Sequence, residues 1–268
     1  MGVPQSFEKS MELTRVSEDE HTVVIPDGWQ QGRGAFGGLV VGILMEAMAS
    51  READPLRAPR AFTADLCGPA LARESSVRSR ILRRGNNQTN LAASFEQDGA
   101  LVAHATCVLS LPRHVATPPT FAFAPPTRVP FDEVPIVDMG PPNGPTFGQH
   151  YEFRPTGPLP FRGGKEAVIT GWLRERIPIT RLTAAVLLAR LDAHWPAIFS
   201  VETTFRPIAT VSFLAEILCD PTALDPAKPL FYRSRVVAEA GGYLVEMREL
   251  WDEDRPVALN QQSIALLA

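Results

Sequence analysis

The chain has 268 residues, 45% apolar and 21% charged, with a net charge of −4 and a pI near 5.8. That length buries a good core as one large domain or two of about 130 residues, and the charge balance excludes a basic surface for nucleic acid or an anionic membrane. Three scattered cysteines (Cys67, Cys107, Cys219) form no C-x-x-C pair, and five histidines form no H-E-x-x-H cluster. A reducing, cytoplasmic compartment and a protein without metal or other cofactor are expected.

The N-terminus, Met1 to Glu8, has no basic region followed by an apolar one, so no signal peptide is expected. Residues 6–31 alternate loosely and end in Thr22-Val-Val-Ile25 and Pro26-Asp-Gly28, which predicts one or two strands and a turn. Gly37-Gly38 then opens a proline-free apolar run, Leu39 to Met48, broken only by Glu46. It is too short to span a bilayer and apolar nearly all round, so a buried helix is expected. Its first N–H groups, at the positive end of the helix dipole, suit an oxyanion or an anionic ligand.

After a polar break at 51–59, strands are expected at Ala61–Leu66, Ser76–Leu82, Thr89–Phe95 and Leu101–Leu109, with turns at Gly85-Asn-Asn87 and Gln97-Asp-Gly99. One helix followed by antiparallel strands is an α+β pattern. Thirteen of the 25 prolines fall between Pro112 and Pro160. Proline neither continues a helix nor serves a central strand, so this stretch reads as an extended surface connector. Phe121, Phe123, Phe131 and Ile136 are its apolar anchors. The organisation expected is a unit over 1–112, a connector over 113–147 and a second unit over 148–268.

The second half repeats the first. A strand at Val168–Arg174 precedes a helix that starts at Pro178 or Thr180, runs through Leu191 and stops before Pro196. Strands follow at Ala209–Ile217, Leu230–Val237, Gly242–Trp251 and Pro256–Leu266. The last hairpins align with one residue dropped, Gln97–Ala103 against Glu253–Ala258, and this sets Cys107 against Gln262. The helices align as Leu44–Met48 against Arg190–His194, which sets Glu46 against Asp192.

In this duplicated form the chain resembles the type II acyl-CoA thioesterases and their thioesterase-like relatives, which are double-hotdog proteins. Phe36-Gly-Gly-Leu-Val-Val-Gly42 is similar to the F-G-G-Q-V-V-G segment of the family's first helix, with Leu39 where the family has glutamine. Leu82-Arg-Arg-Gly-Asn-Asn87, Ile208-Ala-Thr-Val-Ser212 and Val257-Ala-Leu-Asn-Gln-Gln262 are similar to L-R-D-G-N-S, I-A-T-I-D and V-A-S-T-V-Q. The resemblance implies an α+β double hotdog, two sheets joined into one around two helices, and hydrolysis of an acyl-CoA without a cofactor. It also implies an aspartate, a threonine and a glutamine that hold the attacking water; carried over, these are Asp192, Thr210 and Gln262. Asp192-Ala-His194 shares only the acid with the family's segment.

Each residue also has an ordinary reading. Asp192 ends a helix, where the dipole disfavours an anion, yet an acid there also serves as a turn cap. Thr210 shares a strand face with Ser212, Leu214 and Glu216, as plain packing would have it. Gln262 alternates with Asn260, Ile264 and Leu266, and any buried amide needs partners. Glu46 is a second catalytic acid, a replacement for Asp192 or a buried acid paired with an arginine. Gly37 and Gly38 offer backbone donors to substrate. His194 and Trp195 line a pocket, or the histidine is a partly exposed helix cap. No G-x-S-x-G elbow supports a serine nucleophile, and no histidine has an aspartate five residues before it, as a hotdog hydratase would. A non-catalytic acyl-CoA- or lipid-binding hotdog is the alternative, and either form can assemble into a homo-oligomer.

Overall fold

The computed structural model describes residues 5–117 and 123–267. Among the described residues the α-helices are α1 (Phe7–Ser10), α2 (Gly37–Ala49) and α3 (Ala184–Asp192). The strands are β1 (Thr14–Arg15), β2 (Glu20–Val24), β3 (Gln30–Gln31), β4 (Gly34–Ala35), β5 (Ala58–Leu66), β6 (Glu74–Arg84), β7 (Gln88–Gln97) and β8 (Ala100–Ser110) in the first half. The second half adds β9 (Tyr151–Pro155), β10 (Val168–Glu175), β11 (Ile208–Ile217), β12 (Leu230–Ala240), β13 (Tyr243–Asp252) and β14 (Arg255–Leu266).

Twelve strands form one sheet in the order β1-β2-β6-β7-β8-β5-β11-β14-β13-β12-β10-β9, and β3 and β4 make a separate ribbon. Every neighbouring pair is antiparallel, and the two halves meet where β5 pairs with β11, from Ser212 opposite Asp65 to Glu216 opposite Ala61. The strand order of each half mirrors the other about that seam. This is a double hotdog, with α2 and α3 buried together against the sheet.

The helices are buried because both are apolar on nearly every side: all of α2 from Gly38 to Met48 is buried except Glu46, and so is the whole of α3. Each fully buried Leu, Ile, Val or Met contributes about 1.5–3 kcal/mol. The helices run antiparallel and cross closely at small residues. A Cβ on Gly38 would lie 2.9 Å from the Ala189 Cα, and one on Gly42 would lie 3.5 Å from the Ala185 carbonyl oxygen. No helix among the described residues is long and apolar enough to cross a membrane.

Several expectations need correction. The 6–31 segment contains the short helix α1, capped where the Ser6 hydroxyl accepts from the Lys9 amide. The second central helix starts at Ala184, later than expected, because Thr183 caps it by accepting from the Val186 amide. The proline-rich stretch up to Pro160, read as extended, holds a strand, β9, beyond the 113–147 connector; it lies at the sheet edge, where its terminal Pro155 breaks no ladder. The hairpin alignment drops no residue: Gln97 pairs with Ala100 as Asp252 pairs with Arg255, and Asp98 and Glu253 both take positive φ at the same turn position.

The connector runs over the outer face of the second half. Phe123 stacks on Trp251 at 5.0 Å, the Trp172 indole donates to the Val129 carbonyl at 2.9 Å, and the Arg154 guanidinium lies 4.0 Å from the centre of the Phe131 ring. Ile136 is half exposed, and Val134 is the buried residue nearby. Phe121 lies outside the described residues. The connector's end returns to the first half, where Phe147 stacks on Phe36 at 4.1 Å and His150 on Trp29 at 3.9 Å.

Candidate active site

The C-terminal end of α3 meets the N-terminal end of α2. No side chain caps α2, because its N-cap residue is Phe36. Asp192, the last residue of α3, is 9% exposed and lies against the α2 terminus. A Cβ on Gly37 would come within 2.8 Å of Asp192 Oδ2, so only glycine leaves the carboxylate room there. The Gly38 amide lies near enough to that carboxylate to favour its charged form. Both expected backbone donors thus lie beside the Asp192 carboxylate, at the positive end of α2.

Strands β11, β13 and β14 complete the cluster. Gln262 Nε2 donates to Asp192 Oδ1 at 2.9 Å, and Thr210 Oγ1 donates to Gln262 Oε1 at 3.1 Å. The amide thus has one orientation, with its nitrogen toward the acid and its oxygen toward the hydroxyl. Simple alternation puts Thr210 on the wrong face for this. A β-bulge between Thr210 and Ser212 reverses the phase and turns the hydroxyl toward buried Gln262.

Two residues that strand patterning did not single out complete the arrangement. Arg248 Nη1 donates to Asp192 Oδ1 at 3.1 Å and to the Leu191 carbonyl at 3.0 Å, and its Nε donates to Glu246 Oε1 at 2.9 Å. Glu246 Oε2 accepts from the Ala197 amide at 2.8 Å. Their signal was present: Glu246 and Arg248 alternate with Leu244 and Leu250 on the buried face of β13. Burial raises the Asp192 pKa, while Arg248, Gln262 and the Gly38 amide oppose that rise and Glu246 adds to it.

The first half carries the mirror image of this site with different chemistry. Phe62 pairs with Cys107 as Phe213 pairs with Gln262, so Cys107 occupies the amide's place. Leu91 and Ala93 stand where β13 has Glu246 and Arg248, and Pro59, beside a matching bulge, stands where β11 has Thr210. Among the described residues Glu46 meets no arginine at hydrogen-bond distance; its Oε1 accepts from Thr183 Oγ1 at 3.1 Å. That hydroxyl fills the position that Gly37 leaves open in the other half. Glu46 lines a separate cleft of about 640 Å³ with Met11, His21 and Arg181, and burial raises its pKa. The structure brings Asp192, Thr210 and Gln262 together and leaves Glu46 apart.

Family models match both halves: the acyl-CoA thioesterase N-terminal domain over residues 25–110 and the acyl-CoA thioesterase C-terminal domain over residues 126–266. The chain belongs to the acyl-CoA thioesterase family. It is thus a thioester hydrolase. Among solved structures, a hotdog-fold protein from Alicyclobacillus acidocaldarius superposes with a TM-score of 0.88 at 22% identity, over 99% of each chain. An acyl-CoA thioesterase II from Mycobacterium marinum superposes with a TM-score of 0.77 at 14% identity, over 98% of each chain. Both show the shared double-hotdog fold. No curated protein matches the chain.

In this thioesterase the His194 ring is not a partly exposed cap. It is 1% exposed and stacks on Tyr232 at 4.3 Å; neither nitrogen has a partner among the described residues. Burial, with Arg248 nearby, lowers its pKa to about 3 and keeps the ring neutral. Trp195 packs beside it at 5.4 Å, its indole N–H also without a described partner. Among the described residues no group of three or more His, Cys, Asp or Glu side chains is placed to hold a metal ion.

Proposed function

We propose that the protein hydrolyses acyl-CoA thioesters to free acid and CoA, with a water activated by Asp192 in the second-half site. The observation that carries this reading is the oriented chain Thr210–Gln262–Asp192, bonded at 3.1 and 2.9 Å, against an uncapped helix terminus. Attack by water requires a base that takes its proton and donors for the oxygen that becomes negative. Asp192 Oδ1 is engaged by Gln262 and Arg248. Oδ2 receives no side-chain donor among the described residues and is the oxygen available to a water. The Gly37 N–H, at the positive end of α2, is the donor for the carbonyl oxygen.

In this scheme the water loses its proton to Asp192 as its oxygen bonds to the thioester carbon. The resulting oxyanion collapses, breaks the carbon–sulfur bond and expels CoA thiolate, which the Asp192 proton then neutralises. Thr210, partly exposed on β11, fixes the amide and faces the approach to the site. Glu46 has no role in the reaction, because the residues that would serve it are Cys107, Pro59, Leu91 and Ala93. His194 and Trp195, behind Asp192, border the acyl group. The same reading takes 1–112 and 148–268 as the two hotdog units.

A single turnover of an acyl-CoA in H2(18)O tests the chemistry. Direct attack by water puts the label into the released acid and none into Asp192. Label in Asp192 with unlabelled acid would mean a covalent anhydride and overturn the water mechanism. Acyl-CoA that binds without release of thiol, across short, long and aromatic acyl groups, would overturn the hydrolytic reading in favour of a binding protein.

A further inference from the structure

We propose that Arg248 and Glu246 are positioning residues that act in opposition on Asp192, Arg248 holding its carboxylate charged and oriented and Glu246 limiting that hold. This rests on the reading of Asp192 as the base. The geometry is a buried row of three charges. Arg248 is 2% exposed and bridges the Asp192 carboxylate, the Leu191 carbonyl and Glu246. Glu246 is fully buried and joins Arg248 to the Ala197 amide, so one chain of bonds ties β13 to the end of α3 and to the turn after it.

Stability alone does not account for such a row. Burying ions costs desolvation, and apolar replacement of a buried ion pair or triad is often neutral or stabilising. The molecule contains that replacement: the symmetry-related strand β7 makes the same sheet with Leu91 and Ala93 at these positions. The charged row occurs in the half that carries Asp192, Gln262 and Thr210.

The charged and titratable groups around Asp192 come from several elements. Arg248 and Glu246 face it from β13, Tyr232 from β12 and Tyr151 from β9, while His194, two residues on, is neutral. Both tyrosines are buried and un-ionised. Among the described residues Arg248 is the cation whose charge acts on Asp192 and Glu246 the further anion, while the buried Arg190 on the same helix is paired with Glu175. Removing the cation disfavours the carboxylate and removing the anion favours it.

The test is the pH dependence of kcat for acyl-CoA hydrolysis in Arg248→Met, Arg248→Lys, Glu246→Gln and Asp192→Asn. An opposite charge at this range moves a carboxylate pKa by about one to three units. The acid limb is expected to move up by about that much in Arg248→Met and down in Glu246→Gln. Arg248→Lys is expected to restore the limb to near the wild-type pH with a reduced kcat, because lysine keeps the charge and loses the fork.

Limbs that stay at the wild-type pH in Arg248→Met and Glu246→Gln, while Asp192→Asn is inactive, would overturn the positioning role and leave Asp192 as the base. If Arg248→Met does not fold, Glu246→Gln decides: a downward shift supports the proposal and an unmoved limb overturns it. An Asp192→Asn enzyme with wild-type turnover would overturn the reading of the base itself.

Discussion

Substituting Gly37 by alanine separates the chemistry from the fold. Gly37 does not need a positive φ, and alanine favours a helix over glycine by about 1 kcal/mol, so the backbone tolerates the change. The added methyl would lie 2.8 Å from Asp192 Oδ2. Ordinary carbon contacts begin near 3.5 Å, so the carboxylate must retreat by about half an ångström or more. A misplacement of 1 Å in a catalytic group costs about a hundredfold in rate. The expected loss for Gly37→Ala is therefore about ten- to a hundredfold in kcat, or about 1.4–2.7 kcal/mol of barrier. Its unfolding free energy should stay within about 1 kcal/mol of wild type.

Gly38→Ala is the contrast. Its methyl would strike the Phe36 ring and lie 2.9 Å from the Ala189 Cα. Phe36 is fully buried and stacked on Phe147, so it cannot yield. Overpacking of this kind costs about 1–3 kcal/mol and should lower Tm by several degrees. The assay is release of free thiol from acyl-CoA alongside thermal unfolding. A Gly37→Ala enzyme with wild-type kcat, or one that melts as early as Gly38→Ala, would refute the reasoning.

Other variants probe the neighbouring contacts. Thr210→Val keeps the side chain's shape but not its hydroxyl, so kcat should fall by about ten- to a hundredfold with Tm nearly unchanged; an unaffected kcat would show that the bond to Gln262 is idle. Glu175→Ala strands Arg190, which is fully buried and forks onto Glu175 at 3.1 and 2.5 Å. It should cost about 3–5 kcal/mol by denaturant unfolding, and a loss under 1 kcal/mol would mean that the pair is solvated. His194 is neutral in the fold down to pH about 3 but protonates near 6.5 once unfolded. The unfolded state then binds the extra proton, so His194 contributes stability above pH 6.5 that is lost as pH falls toward 3, by about 1.4 kcal/mol per unit. A His194→Phe variant should lose stability less steeply over that range; identical slopes would place the ring in water.

How much of this was legible in the sequence varies from residue to residue. Strand-like apolar pieces bounded by turns exposed β5 to β8 and β10 to β14, and α2 showed as a proline-free run that is apolar nearly all round. The repeat put Glu46 against Asp192 and Cys107 against Gln262, and the strand pairing agrees for Cys107 and Gln262. Thr210 was assigned the wrong face because a bulge reverses the phase of a strand without a distinctive local sequence. The start of α3 was misplaced because Pro178 and Thr180 are good start signals, and Thr183, three residues on, is the one whose hydroxyl caps the helix. His194 was left between a pocket wall and a partly exposed helix cap because the residues that bury it come from β9 and β12, which are remote in the chain. Glu246 and Arg248 were visible as charges on an apolar face but were not singled out. Separation of the two acids depends on which polar residues the sheet delivers to each helix end, and only the assembled strands display that.

The most direct test of the central claim is kcat for thiol release by Asp192→Asn and Glu46→Gln beside wild type, on an acyl-CoA that the wild type turns over. Asp192→Asn should lose most of its turnover, while Glu46→Gln should stay within about twofold of wild type, since its side chain bonds to the Thr183 cap and lines a separate cleft away from the Asp192 cluster. Turnover lost in Glu46→Gln and kept in Asp192→Asn would move the active site to the first half and contradict the account.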